Sequence, residues 1–256
     1  MLSVEITFAT LSGQPVSSEE PCEDVVTCWY KNGQIETNRW HVIRELSQVR
    51  IIASIPDAAA LDACNNNVYA QDALNALVAH DFALPNVRVI GVDLAFDTSC
   101  TCSVRKDLIL YTNYLSSGTP IRCGTCFAPA PLYQLPHTHD VEHLNVLHWA
   151  SDYRACDTLQ MHCTTGERFS ELQLYRHDSS LSRQGRDIAT KLSKQSGVPV
   201  YYFLLTSRGA SNQSERARHC PSCNGEWLLK HPWHDLFHFR CERCLLLSNI
   251  AYDLRA

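Results

Sequence analysis

His219-Cys220-Pro221-Ser222-Cys223 and, further on, Phe237-His238-Phe239-Arg240-Cys241-Glu242-Arg243-Cys244 are the stretches whose reading decides the fold. Cys220 with Cys223 and Cys241 with Cys244 make two C-x-x-C pairs, separated by the 17 residues from Asn224 to Arg240. Four thiolates at that spacing are the ligand set of a structural zinc site, in which two tight turns each present a pair of sulfurs. Pro221 and Asn224-Gly225 fit the first of those turns. Between the pairs, residues 226–230 and 237–240 are expected to form a hairpin, with Phe237 and Phe239 on one face and His238 and Arg240 on the other. Residues 207–256 are therefore expected to be a zinc ribbon, the metal supplying the cohesion that so small a module lacks. His219 is spare, because four sulfurs already close a tetrahedron. Trp233, Phe237 and Phe239, if exposed, offer rings on which unpaired bases stack or a protein docks.

Working back along the chain, Cys100-Thr101-Cys102 and Cys123-Gly124-Thr125-Cys126 suggest a second zinc site within residues 96–136. The C-x-C half weakens the case, since both of its sulfurs can reach one metal only if the backbone turns there. A redox C-x-x-C at Cys123 and Cys126, or four reduced thiols, is the competing reading. Pro129 to Pro136 reads as an extended linker.

Residues 137–206 read as a central α/β region. His137-Thr138-His139-Asp140-Val141-Glu142-His143 brings imidazoles and carboxylates together, but its spacing misses H-E-x-x-H and other hydrolase signatures. Thr138 or Asp140 is expected instead to cap a helix running to about Cys163, with Val146, Trp149, Ala150, Tyr153, Cys156 and Cys163 on its buried stripe. Phe169–Tyr175 reads as a strand. Ser180 or Ser182 is expected to cap a helix that Gly197 and Pro199 end. One stripe of that helix, Leu181, Gly185, Ile188, Ala189 and Leu192, is apolar or small. Arg183, Arg186, Lys191 and Lys194 make the opposite face basic, a pattern that either holds phosphates or is simply solvated. Val200 to Leu205 reads as a buried strand.

Residues 1–95 give the order β-α-β-β-α-β of a ferredoxin-like module: strands near 3–9, 40–43, 49–53 and 87–92, a helix over 19–30 ended at Asn32-Gly33, and helical residues 57–80 broken at Asn65-Asn66-Asn67. Cys22, Cys28 and Cys64 read as small buried hydrophobes, and His41 and His80 as structural or surface residues. The fold class expected is thus α+β.

The chain has 256 residues, 45% of them hydrophobic, and a formal net charge of −5. That length accommodates one large or two to three small domains. The excess of acid repels polyanions at long range, and the ribbon itself is close to neutral once four thiolates and a divalent ion are counted. The N-terminus lacks a basic segment and carries Glu5 within its apolar run, so no secretory signal is expected, and no stretch is apolar enough to cross a membrane. Thirteen cysteines with paired spacings point to thiolate metal ligands in a reducing cytoplasm. There is no phosphate loop, dinucleotide fingerprint, nucleophile elbow or kinase signature.

Over residues 100–249 the chain resembles a bacterial family of zinc-ribbon-containing proteins with a suggested nucleic-acid-binding role. Cys123-Gly124-Thr125-Cys126 leading into Pro131–Pro136 carries the resemblance, with Gly166-Glu167, Leu181-Ser182, Gly185-Arg186 and Val198–Tyr202. Cys220–Cys223, Trp227, Phe239, Cys241 and Cys244 complete it. The resemblance implies no established activity. The expectation is a non-enzymatic zinc protein binding nucleic acid, or a complex that handles it, through the ribbon and the helix bearing Arg183 and Arg186. The competing expectation is a protein-binding module, such as an immunity protein or antitoxin, that neutralises a partner protein.

Overall fold

A computed structural model describes residues 1–254. Two sheets and a set of helices make a mixed α+β structure, and the chain divides into two compact units. Among the described residues, the first comprises 1–101, 117–119 and 128–144; the second comprises 102–116, 120–127 and 145–254.

In the first unit, β1 (Leu2–Ala9), β2 (His41–Arg44), β3 (Gln48–Ile55) and β4 (Asn86–Val92) form an antiparallel sheet of order β2-β3-β1-β4. Alternation sets its register: Val4, Ile6 and Phe8 are fully buried opposite Ala53, Ile51 and Val49, and a one-residue slip would turn all of them to the other face. α1 (Glu20–Lys31) lays Cys22, Val25, Val26 and Trp29 into the same core. Its acidic first turn and Lys31 in its last complement the helix dipole. The chain leaves α1 through Gly33 at φ +78°, where a Cβ would lie 2.3 Å from Leu132 Cβ, so both the backbone and the space demand glycine.

Several local expectations change here. Helix begins only at α2 (Val68–Ala76), whose N-cap Asn67 accepts a hydrogen bond from Ala70 N at 2.9 Å, and continues as a single tight turn to His80. Residues before it make only a short turn at Ala63–Asn65, because Asn65 and Asn66 spend their side chains on Ala59 O and Trp29 Nε1 (2.7 and 2.9 Å) rather than leave the backbone to a helix. Pro129–Pro136 is no linker. Ala130, Leu132 and Leu135 are buried, and Tyr133 Oη donates to Asp57 at 2.8 Å. Of the three cysteines, Cys22 is fully buried and its thiol pushed up to about 12 by desolvation, Cys28 is half-buried and Cys64 exposed. His41 and His80 lie on the surface.

The second unit is organised on a six-stranded sheet of order β6-β5-β7-β10-β9-β8. In chain order these are β5 (Leu108–Leu110), β6 (Ile121–Cys123), β7 (Val200–Leu204), β8 (Leu228–Trp233), β9 (Phe237–Cys241) and β10 (Leu246–Ser248). β5, β7 and β10 run parallel, and the outer pairings are antiparallel. Every residue of β7 is buried, as a strand covered on both faces requires. The hairpin expected in the ribbon is present as β8 and β9. Through β10 it joins the sheet of the central region, so the described part of the ribbon, residues 207–254, does not stand apart as its own module.

The helices of this unit are α3 (Leu144–His162), α4 (Glu167–Tyr175), α5 (Ser180–Ser196) and the short α6 (Asn212–Arg216) within a stretch that reads as linker. α3 buries Val146, Trp149, Ala150 and Tyr153 as its stripe predicts. It starts later than expected, because Asp140 adopts φ +47° and neither it nor Thr138 caps the helix. Cys156 is half-buried, whereas Cys163 falls past the helix end at φ +53° and is exposed, off the stripe. The strand expected at Phe169–Tyr175 is α4, with Ser170 and Leu174 buried one turn apart while Phe169 is 62% exposed. That spacing is helical, not alternating. Ser179, one residue before the expected caps, accepts from Ser182 N at 3.1 Å, and Gly197 at φ +75° ends α5.

Gly185 is where α5 approaches β7 most closely. A Cβ there would meet Tyr202 Cε2 at 2.2 Å and Trp149 Nε1 at 2.6 Å. Gly185→Ala is expected to destabilise the second unit by about 1–3 kcal/mol, despite alanine's better helix propensity. Urea unfolding followed by circular dichroism checks this; an unchanged or raised midpoint would contradict the packing described.

Candidate metal centres

Two cysteine clusters assemble as the spacings predict: Cys220, Cys223, Cys241 and Cys244, and Cys100, Cys102, Cys123 and Cys126. In each, all four sulfurs lie within 4.8 Å of one another. Thiolates 2.3 Å from a tetrahedral centre sit about 3.8 Å apart, and Cys223 Sγ lies 3.6 Å from Cys241 Sγ. The donor set and its dimensions suit zinc or another thiophilic metal.

Backbone turns build the C-terminal cluster. Asn224 N donates to Cys220 O at 2.8 Å and Cys220 N to Gly225 O at 2.9 Å, closing the first pair into a knuckle. Asn224 and Leu245, each one residue past its C-x-x-C, adopt φ +56° and +51°. Asparagine tolerates that region and leucine does not, so Leu245 is held there by what flanks it: Cys244 before and β10 after. The Gly225 N–H and the neighbouring Cys244 thiol lower the Cys223 pKa to about 7, whereas burial raises Cys220 and Cys241. A dication in the cluster would offset that desolvation by stabilising all four thiolates.

In the other cluster, Cys100-Thr101-Cys102 lies outside any strand, which removes the obstacle to a C-x-C pair. Gly124 N donates to Asp107 O at 2.8 Å, and a Cβ on Gly124 would stand 2.6 Å from Asp107 Cβ and 3.0 Å from Trp233 Cζ2. The glycine is therefore required by close approach as well as by the turn.

Of the residues expected to bind a partner, Arg183 and Arg186 come together and Trp233 and Phe239 do not join them. Arg183, Arg186 and Arg243 line one cavity of about 400 Å³ with Cys244, Asp187 and Tyr202. Arg186 Nη1 donates to His177 O at 3.2 Å, while Arg183 and Arg243 are exposed and make no ion pair among the described residues. Asp187 is itself paired with Lys191 at 2.8 Å. Arg243 also lines a neighbouring depression of about 750 Å³ with Arg176, His177, Arg218 and His219. Phe239 is fully buried, its ring 5.1 Å from Trp227 and capped by Arg218 at 4.5 Å, and Phe237 is fully buried too. Neither is free to stack on a base: Phe239 packs within the ribbon, and Phe237 packs against Tyr111 and Phe203 of the sheet that the hairpin joins. Trp233 is half-buried between Tyr201 and the Arg240 guanidinium. Arg243, which lines both cavities, was not singled out from the sequence, although its place between the two cysteines of one C-x-x-C was a usable signal.

The histidine-rich segment makes no metal site among the described residues. His137 and His143 rings lie 4.5 Å apart, but His143 is buried, and a ring N–H is committed to the Leu132 carbonyl. Desolvation, aided by His137, depresses its pKa to about 3. Desolvation lowers His137 as well.

Two family models match the chain, each described as a domain of unknown function: DUF2310 over residues 102–205 and DUF8594 over 209–254. An uncharacterized protein of Haemophilus influenzae is 33% identical over 235 residues, 90% of this chain and 89% of that protein. A second match to an uncharacterized protein of that organism is 36% identical over 166 residues, 65% of this chain and 82% of the relative. No solved structure matches significantly.

Two outcomes are expected of these sites. Elemental analysis of purified protein should give two equivalents of metal per chain, and Cys220→Ser/Cys223→Ser should lose one while Cys123→Ser/Cys126→Ser loses the other. The pH response follows from His143. Below about 6.5 the unfolded chain takes up a proton that the native site refuses, so this contribution to stability is intact above pH 6.5 and is lost as pH falls toward 3, by up to about 1.4 kcal/mol per pH unit. Urea midpoints of the wild type should decline over that interval more steeply than those of His143→Phe; parallel slopes would refute the assignment.

Proposed function

The chain belongs to the bacterial family that these two domains define, and we propose that it is a non-enzymatic zinc protein that holds nucleic acid by its phosphates at the ribbon. Zinc is the metal that four soft thiolates in two C-x-x-C turns favour. Free thiols throughout the chain support a reducing cytoplasmic location. The strand order β2-β3-β1-β4, with α1 and α2 as its crossings, supports a ferredoxin-like module at the N-terminus.

One observation carries the proposal: Arg183, Arg186 and Arg243, remote in sequence, converge on a single cavity that a metal ligand, Cys244, also lines. Guanidinium forks match phosphate oxygens in pairs, and none of these three pairs with a carboxylate among the described residues, Arg186 bonding only the His177 carbonyl. The buried ribbon aromatics leave charge rather than stacking as the means of contact.

Fluorescence anisotropy of the metal-loaded protein with short labelled single-stranded RNA and DNA tests this. Binding is expected at about 50 mM salt, with a log–log salt slope near −2 for three phosphate contacts on a single strand. Arg183→Glu/Arg243→Glu should weaken it at least tenfold. No affinity for either strand at low salt, or equal affinity in the variant, would overturn the proposal and turn attention to a protein partner.

A further inference from the structure

The parallel strands β5, β7 and β10 all point their carboxyl ends at one place, and a cavity of about 400 Å³ lies there. The residues following each strand line it: Tyr111–Leu115 after β5, Leu205 and Ser207 after β7, and Tyr252 and Asp253 after β10. Crevices at the carboxyl ends of parallel strands are where α/β sheets bind ligands, since the loops there vary without disturbing the sheet. The volume falls in the range of about 300–1,000 Å³ usual for small-molecule sites.

α3 closes the cavity with one face. Tyr153, Asp157, Gln160 and Met161 follow one another at helical spacing and all line it. Three of these are polar, and each is more than nine-tenths buried. Asp157 Oδ2 accepts Tyr114 N at 2.7 Å, which leaves the carboxylate further acceptor capacity. Gln160 Oε1 and Tyr153 Oη are buried with no hydrogen-bond partner among the described residues. Burying such groups unpaired costs roughly 1–3 kcal/mol apiece, which a packed helix face would normally avoid by substituting apolar residues.

The unmet capacity leans toward acceptance. The Asp157 carboxylate and Gln160 Oε1 accept, Tyr153 Oη can accept or donate, and two other donors are committed elsewhere: Ser207 Oγ donates to Glu171 at 2.6 Å, and Arg208, at the exposed rim, pairs with Glu167. The walls, in contrast, are rings: Tyr111, Tyr153, Phe203 and Tyr252. Flat apolar walls with a cluster of acceptors select a flat ligand with N–H donors on one edge.

We propose that this cavity binds a planar heterocycle bearing an exocyclic amino group, such as an aminated nucleobase, whose N–H donors pair with Asp157 and Gln160. The site lies apart from the arginine cavity in the residues that line it, so it stands or falls independently of the nucleic-acid proposal.

Isothermal titration of the metal-loaded full chain with adenosine, cytidine and uridine tests it. Adenosine or cytidine is expected to bind at least tenfold more tightly than uridine, which has no exocyclic amine. Asp157→Asn, which keeps the Tyr114 contact but replaces an acceptor with a donor, should lose at least tenfold for the amino-bearing probe. Met161→Trp, at a residue 45% exposed on the cavity wall, should block it with metal content and helicity unchanged; that variant decides the matter if Asp157→Asn does not fold. Absence of binding by the wild type, equal binding of all three nucleosides, or undiminished binding in Met161→Trp would each overturn the proposal.

Discussion

The parallel pairing of β10 onto β7 is the contact on which the second unit depends. Tyr202 N donates to Leu245 O at 2.8 Å, and Leu246, Leu247 and Ser248 register with Tyr202, Phe203 and Leu204. Leu245 follows Cys244 directly, so the strand that completes the sheet also fixes one ligand of the metal cluster. α5 packs on the same β7 through Gly185. The arginines of α5 and Arg243 of the ribbon therefore meet because both are referenced to a single buried strand. The same three strand ends define the aromatic cavity. Both candidate binding regions thus follow from one piece of sheet geometry.

This arrangement alters what the metal has to do. A free-standing ribbon owes its fold to zinc, because a hairpin of that size cannot bury enough surface. Here Trp227, Phe237 and Phe239 are buried, Arg218 lies over Phe239, and Arg240 lies over both Tyr201 and Trp233. The hairpin has a core borrowed from the sheet it extends. Four thiols in one small volume still repel as thiolates and still lose hydration, as the raised Cys220 and Cys241 show. A metal's contribution would accordingly be local: bound there, it would fix the two knuckles, and with them Arg243, more than hold the hairpin together.

How far the sequence disclosed this follows the range of the interactions involved. C-x-x-C turns, the alternation of Val4, Ile6 and Phe8, and the two-faced pattern of Ser180–Ser196 are local, and each was legible. Leu246–Ser248 is three residues long, too short a run to announce a strand, and its pairing partner lies some forty residues upstream. Phe169, Leu172 and Leu174 suggested a strand by composition; only burial reveals that Leu174 faces inward and Phe169 outward. Asp157 and Gln160 drew no reading from the sequence, because polarity in a sequence carries no sign of a loop 43 residues away folding over Asp157. Phe239 was misjudged for the converse reason: a hairpin considered alone leaves one face bare, and that face is covered only once the whole sheet exists.

Charge makes the final step of the argument. A chain of net charge −5 repels a polyanion at distances beyond the screening length, about 8 Å at physiological ionic strength, and within that length the local arrangement governs. Arg183 and Arg243 are cations without carboxylate partners, at a cavity whose one acid, Asp187, is paired along its own helix. Long-range repulsion slows encounter while short-range pairing holds what arrives. Such a balance favours a partner presented at high local concentration, on a larger assembly or a tethered strand, over one captured from dilute solution. Global acidity and a local arginine cleft are therefore compatible, and the proposed function needs its phosphates brought to the cleft rather than drawn from a distance.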